Sequence, residues 1–257
     1  MRSLLSSLDT VIAPPPDPAR VSWLREWTYA HRGLHTEGGA VENSPSAFRA
    51  ALAAGLGIEC DIQRSRDGMA MVYHDWDFAR LLGRAEAGDA LDAAEWRTLR
   101  YSGLDEGPFG LADLLAMVAG KVPLLIEIKS RIGYDVERSC EIVTRTLEGY
   151  AGRYAIMSFD PRVSRWLRRN SPQTVRGLVM RQDKHVDARI GIARHVALWV
   201  ARPDFLAFDV RALPDRFAAS LRASGFPLLT WTVKTPELLA TARAQADALI
   251  AEGAGLP

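Results

Sequence analysis

Two hydrophobic rhythms alternate along this chain. Short runs of β-type apolar residues end in polar ones, and between them lie stretches whose apolar positions recur three and four apart. Residues 27–30 read as a first strand ending at His31. Residues 43–54 read as a helix, with Pro45 in the first turn and Ala47, Phe48, Ala51 and Leu52 on one face. Gly55 and Gly57 break it. Residues 58–62 and 69–73 read as the next two strands, and Asp67-Gly68 permits a tight hairpin-like step between them. Residues 78–110 are charged, contain glycine and show little periodicity, as an insertion after the third strand would. Beyond it the alternation is regular. Helices are expected over 111–119, 136–147, 161–169, 190–200, 214–223 and 236–245, and strands over 124–128, 154–159, 174–180, 205–210, 227–233 and 248–251.

Strands alternating with amphipathic helices predict an α/β fold with parallel packing. The strand number and chain length suit a TIM (β/α)8 barrel with a small insertion after the third strand. A doubly wound open sheet is the second choice. It would usually carry a Gly-rich phosphate loop after the first strand, and His31-Arg32-Gly33-Leu34-His35 is not one. In a barrel, polar residues at the C-terminal strand ends mark the active-site rim.

Composition narrows the function. The 257 residues are 48% hydrophobic, enough for a sizeable core. A formal net charge of +1 leaves no excess of positive charge to exchange for phosphate counterions, which excludes general nucleic-acid affinity. No segment approaches the length of a membrane span, so stable membrane insertion is not expected. Ser and Asp interrupt the first apolar run before it reaches signal-peptide length, which predicts a cytoplasmic protein. Residues 1–24 read as an N-terminal extension to a domain spanning 25–257, with Pro14-Pro15-Pro16 extended and outside the core. Cys60 and Cys140 provide neither a disulfide framework nor zinc spacing, and Cys60 is expected to be a small buried thiol facing helices. Oligomeric state is not legible in the pattern.

The polar strand ends carry the candidate chemistry. Glu59 and Asp61 are two apart on one strand, so they share a face. Side by side they repel unless a cation sits between them, and Glu127 from another strand could complete an oxygen-only set for Mg²⁺ or Ca²⁺. His31 and His74 end two strands, and imidazole suits proton transfer near neutral pH. Arg32 and Lys129 are candidate phosphate holders, although Lys129 could equally serve as a partner for Glu127 on its own strand face. Asn43 or Ser44 would cap the first helix, and Glu42 could fix Arg32 or His31 from behind. Trp231 and Phe159 fit either the core or the wall of a small polyol site. His35, His185 and His195 stand in loop or helical contexts, and Arg162, Arg165, Arg168 and Arg169 read as a solvated helix face.

The order His31-Arg32-Gly33, Glu42-Asn43-Ser44, Gly57-Ile58-Glu59-Cys60-Asp61, Asp67-Gly68, His74-Asp75 and Glu127-Ile128-Lys129 resembles the glycerophosphodiester phosphodiesterase family. Met157-Ser158-Phe159-Asp160-Pro161 and Trp231-Thr232-Val233 extend the likeness. The resemblance implies metal-dependent hydrolysis of a small glycerophosphodiester to glycerol 3-phosphate and an alcohol, on a TIM barrel. It implies Glu59, Asp61 and Glu127 as ligands of one Mg²⁺ or Ca²⁺, and His31 and His74 as the catalytic pair. Arg32 and Lys129 would contact the phosphate and Trp231 the glycerol. One departure is at the C-terminus, where Leu249-Ile250-Ala251-Glu252 replaces the Asp-containing turn common in the family. A phospholipase D-type hydrolase acting on lysophospholipids, and a non-catalytic phosphate- or polyol-binding barrel, are the competing readings.

Overall fold

The computed structural model describes residues 4–181 and 188–256. The chain divides into two compact units, Ala30–Tyr154 and Met1–Tyr29 with Ala155–Pro257.

The strand β1 (Thr28–Ala30) ends at the first residue of the first unit, and β2 (Gly57–Arg64), β3 (Ala70–Val72), β4 (Asp77–Phe78), β5 (Arg84–Ala87), β6 (Phe109–Gly110) and β7 (Leu124–Ile128) lead through it. β2 and β7 pair in parallel with Ile58 against Leu124 and Asp61 against Glu127. That register brings acids from two strands to one level. β3 turns back on β2 as an antiparallel partner, Ile62 facing Val72 and Arg64 facing Ala70, and β6 continues antiparallel on β3. The turn is closed by the Ser65 amide donating to the Met69 carbonyl at 3.1 Å, with Gly68 at φ 84°. The third apolar run is therefore a hairpin return and not one more parallel strand, as Asp67-Gly68 allowed. The helix Pro45–Ala53 starts at Ser44, whose hydroxyl accepts from the Ala47 amide at 3.2 Å.

Residues 78–110 fold around an aromatic core that they share with Met71 and Tyr73. Tyr73, Phe78, Trp96 and Tyr101 are all buried there with Met71 and Leu99. Trp96 meets Phe78 edge-on at 4.6 Å and Tyr73 at 5.6 Å, and its indole N–H donates to the Gly88 carbonyl at 2.9 Å. Within this stretch β4 and β5 form a separate antiparallel pair around the short helix Ala79–Leu82.

The second unit repeats the parallel βα pattern. β8 (Tyr154–Ser158), β9 (Val175–Met180), β10 (Phe205–Asp209), β11 (Leu228–Val233) and β12 (Ala248–Ala251) are paired in sequence order, each parallel to the next. The helices Pro161–Asn170, Ala188–Ala201, Arg216–Ala223 and Pro236–Gln245 lie between them in the chain. Leu178, Phe208, Phe226 and Leu228 form much of its core.

The N-terminal segment packs into the second unit. The helix Leu4–Ile12 turns Asp9 inward, 1% exposed, where it accepts from His195 Nδ1 and Trp199 Nε1, both at 2.8 Å. Ala13 joins the same core as Leu198 and Phe217, and Val21 and Leu24 are buried as well. Pro14 and Pro15 are exposed and free of regular structure, whereas Ala13 before them and Val21 further on are packed. An acid with a buried imidazole for a partner stabilises this docking in a way the N-terminal pattern alone does not reveal. His195 is thus spoken for structurally, whereas His185 lies outside the described residues. Among the described residues no helix is long and apolar enough to cross a membrane.

Trp96 is the anchor of the insertion. Trp96→Ala is expected to cost about 3–5 kcal/mol, the usual range for emptying a buried aromatic site. Urea denaturation should show it as a lower midpoint.

Candidate active site

Every acid, base and cation named for chemistry, apart from Trp231's polyol contact, falls within the unit Ala30–Tyr154. Glu59 and Asp61 project from one face of β2 and Glu127 from β7, each with one carboxylate oxygen within 4.8 Å of the others. They are 2%, 2% and 7% exposed. Buried carboxylates at this spacing cannot all remain charged without compensation. Burial pushes the Glu59 carboxyl well above its ordinary range, and the charges of Asp61 and Glu127 push it further. Glu127 is also raised, by burial first, with Lys129 opposing and Asp61 adding to the rise. Asp61 goes the other way: burial would raise it, but Lys129, Arg32 and then His74 and His31 outweigh that and hold it ionised.

Two cations are built into the cluster. Lys129 Nζ lies 2.8 Å from Glu127 Oε1 and 3.3 Å from Asp61 Oδ1. Its ammonium is raised above the ordinary lysine range, since Asp61 and Glu127 together overcome its burial. Arg32 Nε sits 3.1 Å from Asp61 Oδ2 as an ion pair without hydrogen-bond alignment, while Nη1 donates to Glu42 Oε1 at 2.7 Å. Arg32 has φ 55°, and in that left-handed conformation its own amide donates to Glu59 Oε2 at 3.1 Å.

Asn43 belongs to the cluster, which sequence reasoning missed by reading it as one of two possible helix caps. Ser44 takes the cap, and Asn43, 1% exposed with φ 56°, turns its amide to Asp61. Nδ2 donates to Asp61 Oδ2 at 2.9 Å, and the Asp61 amide donates back to Oδ1 at 3.3 Å. Gln63 is a second omission. It follows Asp61 by two positions on the same strand face, and its Nε2 donates to the carbonyls of His74 and Asp75 at 3.1 and 3.0 Å, pinning the end of the β2–β3 hairpin. The spacing of Glu59, Asp61 and Gln63 was the available signal.

His74 Nδ1 donates to Asp75 Oδ1 at 2.6 Å. A carboxylate can only accept there, so Nδ1 holds a proton and Nε2 is the nitrogen open to transfer. Asp75 Oδ2 accepts from Arg80 Nε at 2.6 Å. Burial opposes ionisation of Asp75, but the hydrogen bonds from His74 and Arg80 hold its carboxyl well below the ordinary range. Glu42 is likewise lowered, since Arg80 and Arg32 outweigh its burial. Both His31 and His74 are half-buried, and both act electrostatically on Asp61. The structure therefore gathers His31, Arg32, Glu42, Glu59, Asp61, His74, Glu127 and Lys129 into one constellation.

Trp231 is on the other unit. It is half-buried rather than core, donates Nε1 to the Ala207 carbonyl at 3.0 Å, and meets Phe159 edge-on at 5.3 Å. Glu252, at the divergent C-terminal turn, pairs with Lys234 at 2.5 Å.

Known proteins resemble this chain over most of its length. The model of the glycerophosphoryl diester phosphodiesterase family matches residues 31–253. A Mycobacterium tuberculosis protein named as probable glycerophosphodiester phosphodiesterase 2 is 27% identical over 82% of this chain and 81% of its own length. A glycerophosphodiester phosphodiesterase of Thermotoga maritima superposes with a TM-score of 0.70 at 24% identity, covering 87% of this chain and 93% of that one. A phosphodiesterase of Oleispira antarctica, solved with the product sn-glycerol-3-phosphate, gives 0.75 at 18% identity over 88% and 92%. The fold is a TIM (β/α)8 barrel, and the protein is an enzyme of the phosphoric diester hydrolase class. The chain belongs to the glycerophosphoryl diester phosphodiesterase family.

Asp75 sets a pH dependence. Its folded carboxyl is lowered, so its contribution to stability is complete above the unfolded value of about 3.9 and fades as pH falls toward the folded one. Asp75→Asn should therefore flatten the acid limb of the melting temperature below about pH 4. A melting series across that range checks this; an unchanged acid slope would refute it.

Proposed function

We propose that this chain hydrolyses small glycerophosphodiesters to glycerol 3-phosphate and an alcohol, with Glu59, Asp61 and Glu127 holding one Mg²⁺ or Ca²⁺. The observation that carries the reading is the buried three-carboxylate cluster with Arg32 and Lys129 inside it and His74 oriented beside it. The residues fit a hard divalent cation: the donor set is oxygen only, and three buried carboxylates face the two cations Lys129 and Arg32. Bound there, the cation would act as a Lewis acid on a phosphate oxygen.

The protein's own groups account for the rest. A diester's negative charge repels nucleophiles, and the guanidinium of Arg32 and ammonium of Lys129 place fixed positive charge where phosphate charge grows in the transition state. Glu42 steers Arg32 through the 2.7 Å hydrogen bond. His31 and His74 divide the proton transfers: one accepts from the attacking hydroxyl, the other protonates the departing alcohol. Asp75 fixes the His74 tautomer, so that Nε2 moves the proton. The attacking hydroxyl is that of the substrate glycerol or of water, and a cyclic glycerol phosphate in the reaction mixture would identify the first. The resemblance to the family supports Trp231 as the glycerol contact.

The test is release of glycerol 3-phosphate from glycerophosphocholine by a coupled assay. His31→Ala and His74→Ala should each lose about 10²–10⁴-fold in kcat, the worth of general acid–base catalysis, with melting unchanged. Near-normal turnover in either would remove that histidine from the mechanism. Faster turnover of a lysophospholipid than of glycerophosphocholine would favour the lipid-directed reading.

Chelation should abolish turnover, and Mg²⁺ or Ca²⁺ should restore it. The same ion at about 100 times its Kd should stabilise the chelated protein by about 2.7 kcal/mol. Glu127→Gln should lose most of that gain. Full activity after exhaustive chelation would end the carboxylate assignment.

A further inference from the structure

Arg80, in the insertion, reaches the constellation, and nothing in its local sequence singles it out. It stands on the short helix Ala79–Leu82. Its Nε donates to Asp75 at 2.6 Å, and its two terminal nitrogens donate to Glu42 at 2.9 and 2.6 Å. Those two carboxylates in turn hold His74 at 2.6 Å and Arg32 at 2.7 Å. A single planar guanidinium thus ties the orienter of the imidazole to the orienter of the phosphate-facing arginine.

We propose that Arg80 is a positioning residue for diester hydrolysis, locking Asp75 and Glu42 so that His74 and Arg32 keep their working orientations. The inference rests on the hydrolase reading above. Three features support it. The fork geometry uses three donors on two carboxylates at once, which a lysine ammonium could not span. The position of Arg80 is set by packing: Phe78, two residues before it, lies fully buried 5.4 Å from the ring of Tyr73, which immediately precedes His74. Trp96 meets both rings, so the same aromatic core fixes the histidine and the arginine. Finally, Glu42 Oε1 is shared between Arg80 and Arg32. Without Arg80, Glu42 would turn its whole charge on Arg32 and draw that guanidinium from the phosphate. Asp75 would lose the bond that fixes its second oxygen.

The Arg80 side chain is 47% exposed, so its stabilising worth as an ion pair is small and its removal leaves the aromatic core filled. The experiment is steady-state kinetics on glycerophosphocholine with the full, metal-loaded chain. Arg80→Ala should lose about 10- to 100-fold in kcat/KM, carried mainly by kcat, while melting stays close to wild type. Arg80→Lys should recover little of the loss. Millimolar guanidinium should partly rescue Arg80→Ala and leave the wild type unchanged. Arg84→Ala, an exposed arginine of the same insertion paired with Glu86, should match the wild type. Arg80→Ala within about twofold of wild type, full recovery by lysine, or a loss that guanidinium does not relieve would each overturn the proposal. A wild type that releases no glycerol 3-phosphate would remove the hydrolase reading and this inference with it. An active wild type beside an equally active Arg80→Ala would remove this inference alone.

Discussion

The structure depends on crowded negative charge. Three carboxylates share a buried space within 4.8 Å, and ionised together they would be prohibitive in an apolar interior. The fold accommodates them because parallel pairing of β2 with β7 sets Asp61 beside Glu127 and brings Lys129 to both. Arg32 stands on a left-handed turn that also directs its amide at Glu59. The interactions that make the acids tolerable also bring cationic groups to the place where an anionic substrate would sit. Three oxygen-donor acids against two cations make a divalent cation chemically suitable there.

Around this centre the orienting groups are connected rather than separate. Asn43 holds Asp61, Gln63 holds the backbone of His74 and Asp75, and Glu42 holds Arg32. The insertion contributes through an aromatic cluster of Tyr73, Phe78 and Trp96 that stiffens the strand end carrying His74. A residue whose rotamer is locked by neighbours loses little freedom on reaching the transition state, which is how such surrounding contacts act on rate.

Much of this was legible in the sequence where chemistry coincides with strand period. Glu59 and Asp61 declare a shared face by their spacing, and Glu127 and Lys129 repeat the device on another strand. The regular alternation after residue 110 gave each later helix and strand to within a few positions. What stayed hidden depends on contacts between distant segments. Residues 69–73 have the composition of any barrel strand, and only the pairing with β2 shows a hairpin return. Asn43 offered a sufficient local role as a cap and took a non-local one. Arg80 sits in the stretch of weakest periodicity, and Asp9 needed His195, 186 positions away, to explain its burial. The proline run marked a break in regular structure, and the packing of the helix before it was not legible from that break.

The strand that presents the acids has a second face, and Cys60 occupies it between Glu59 and Asp61, wholly buried. Burial raises its thiol well above the ordinary range, and the neighbouring carboxylates raise it further. Nucleophilic sulfur is thiolate, so Cys60 is inert toward alkylating agents and peroxide while the chain is folded. Cys140 is buried too. Thiol labelling of this enzyme therefore reports backbone opening rather than site chemistry, and a maleimide clock on Cys60 would time the unzipping of the strand that bears the acids.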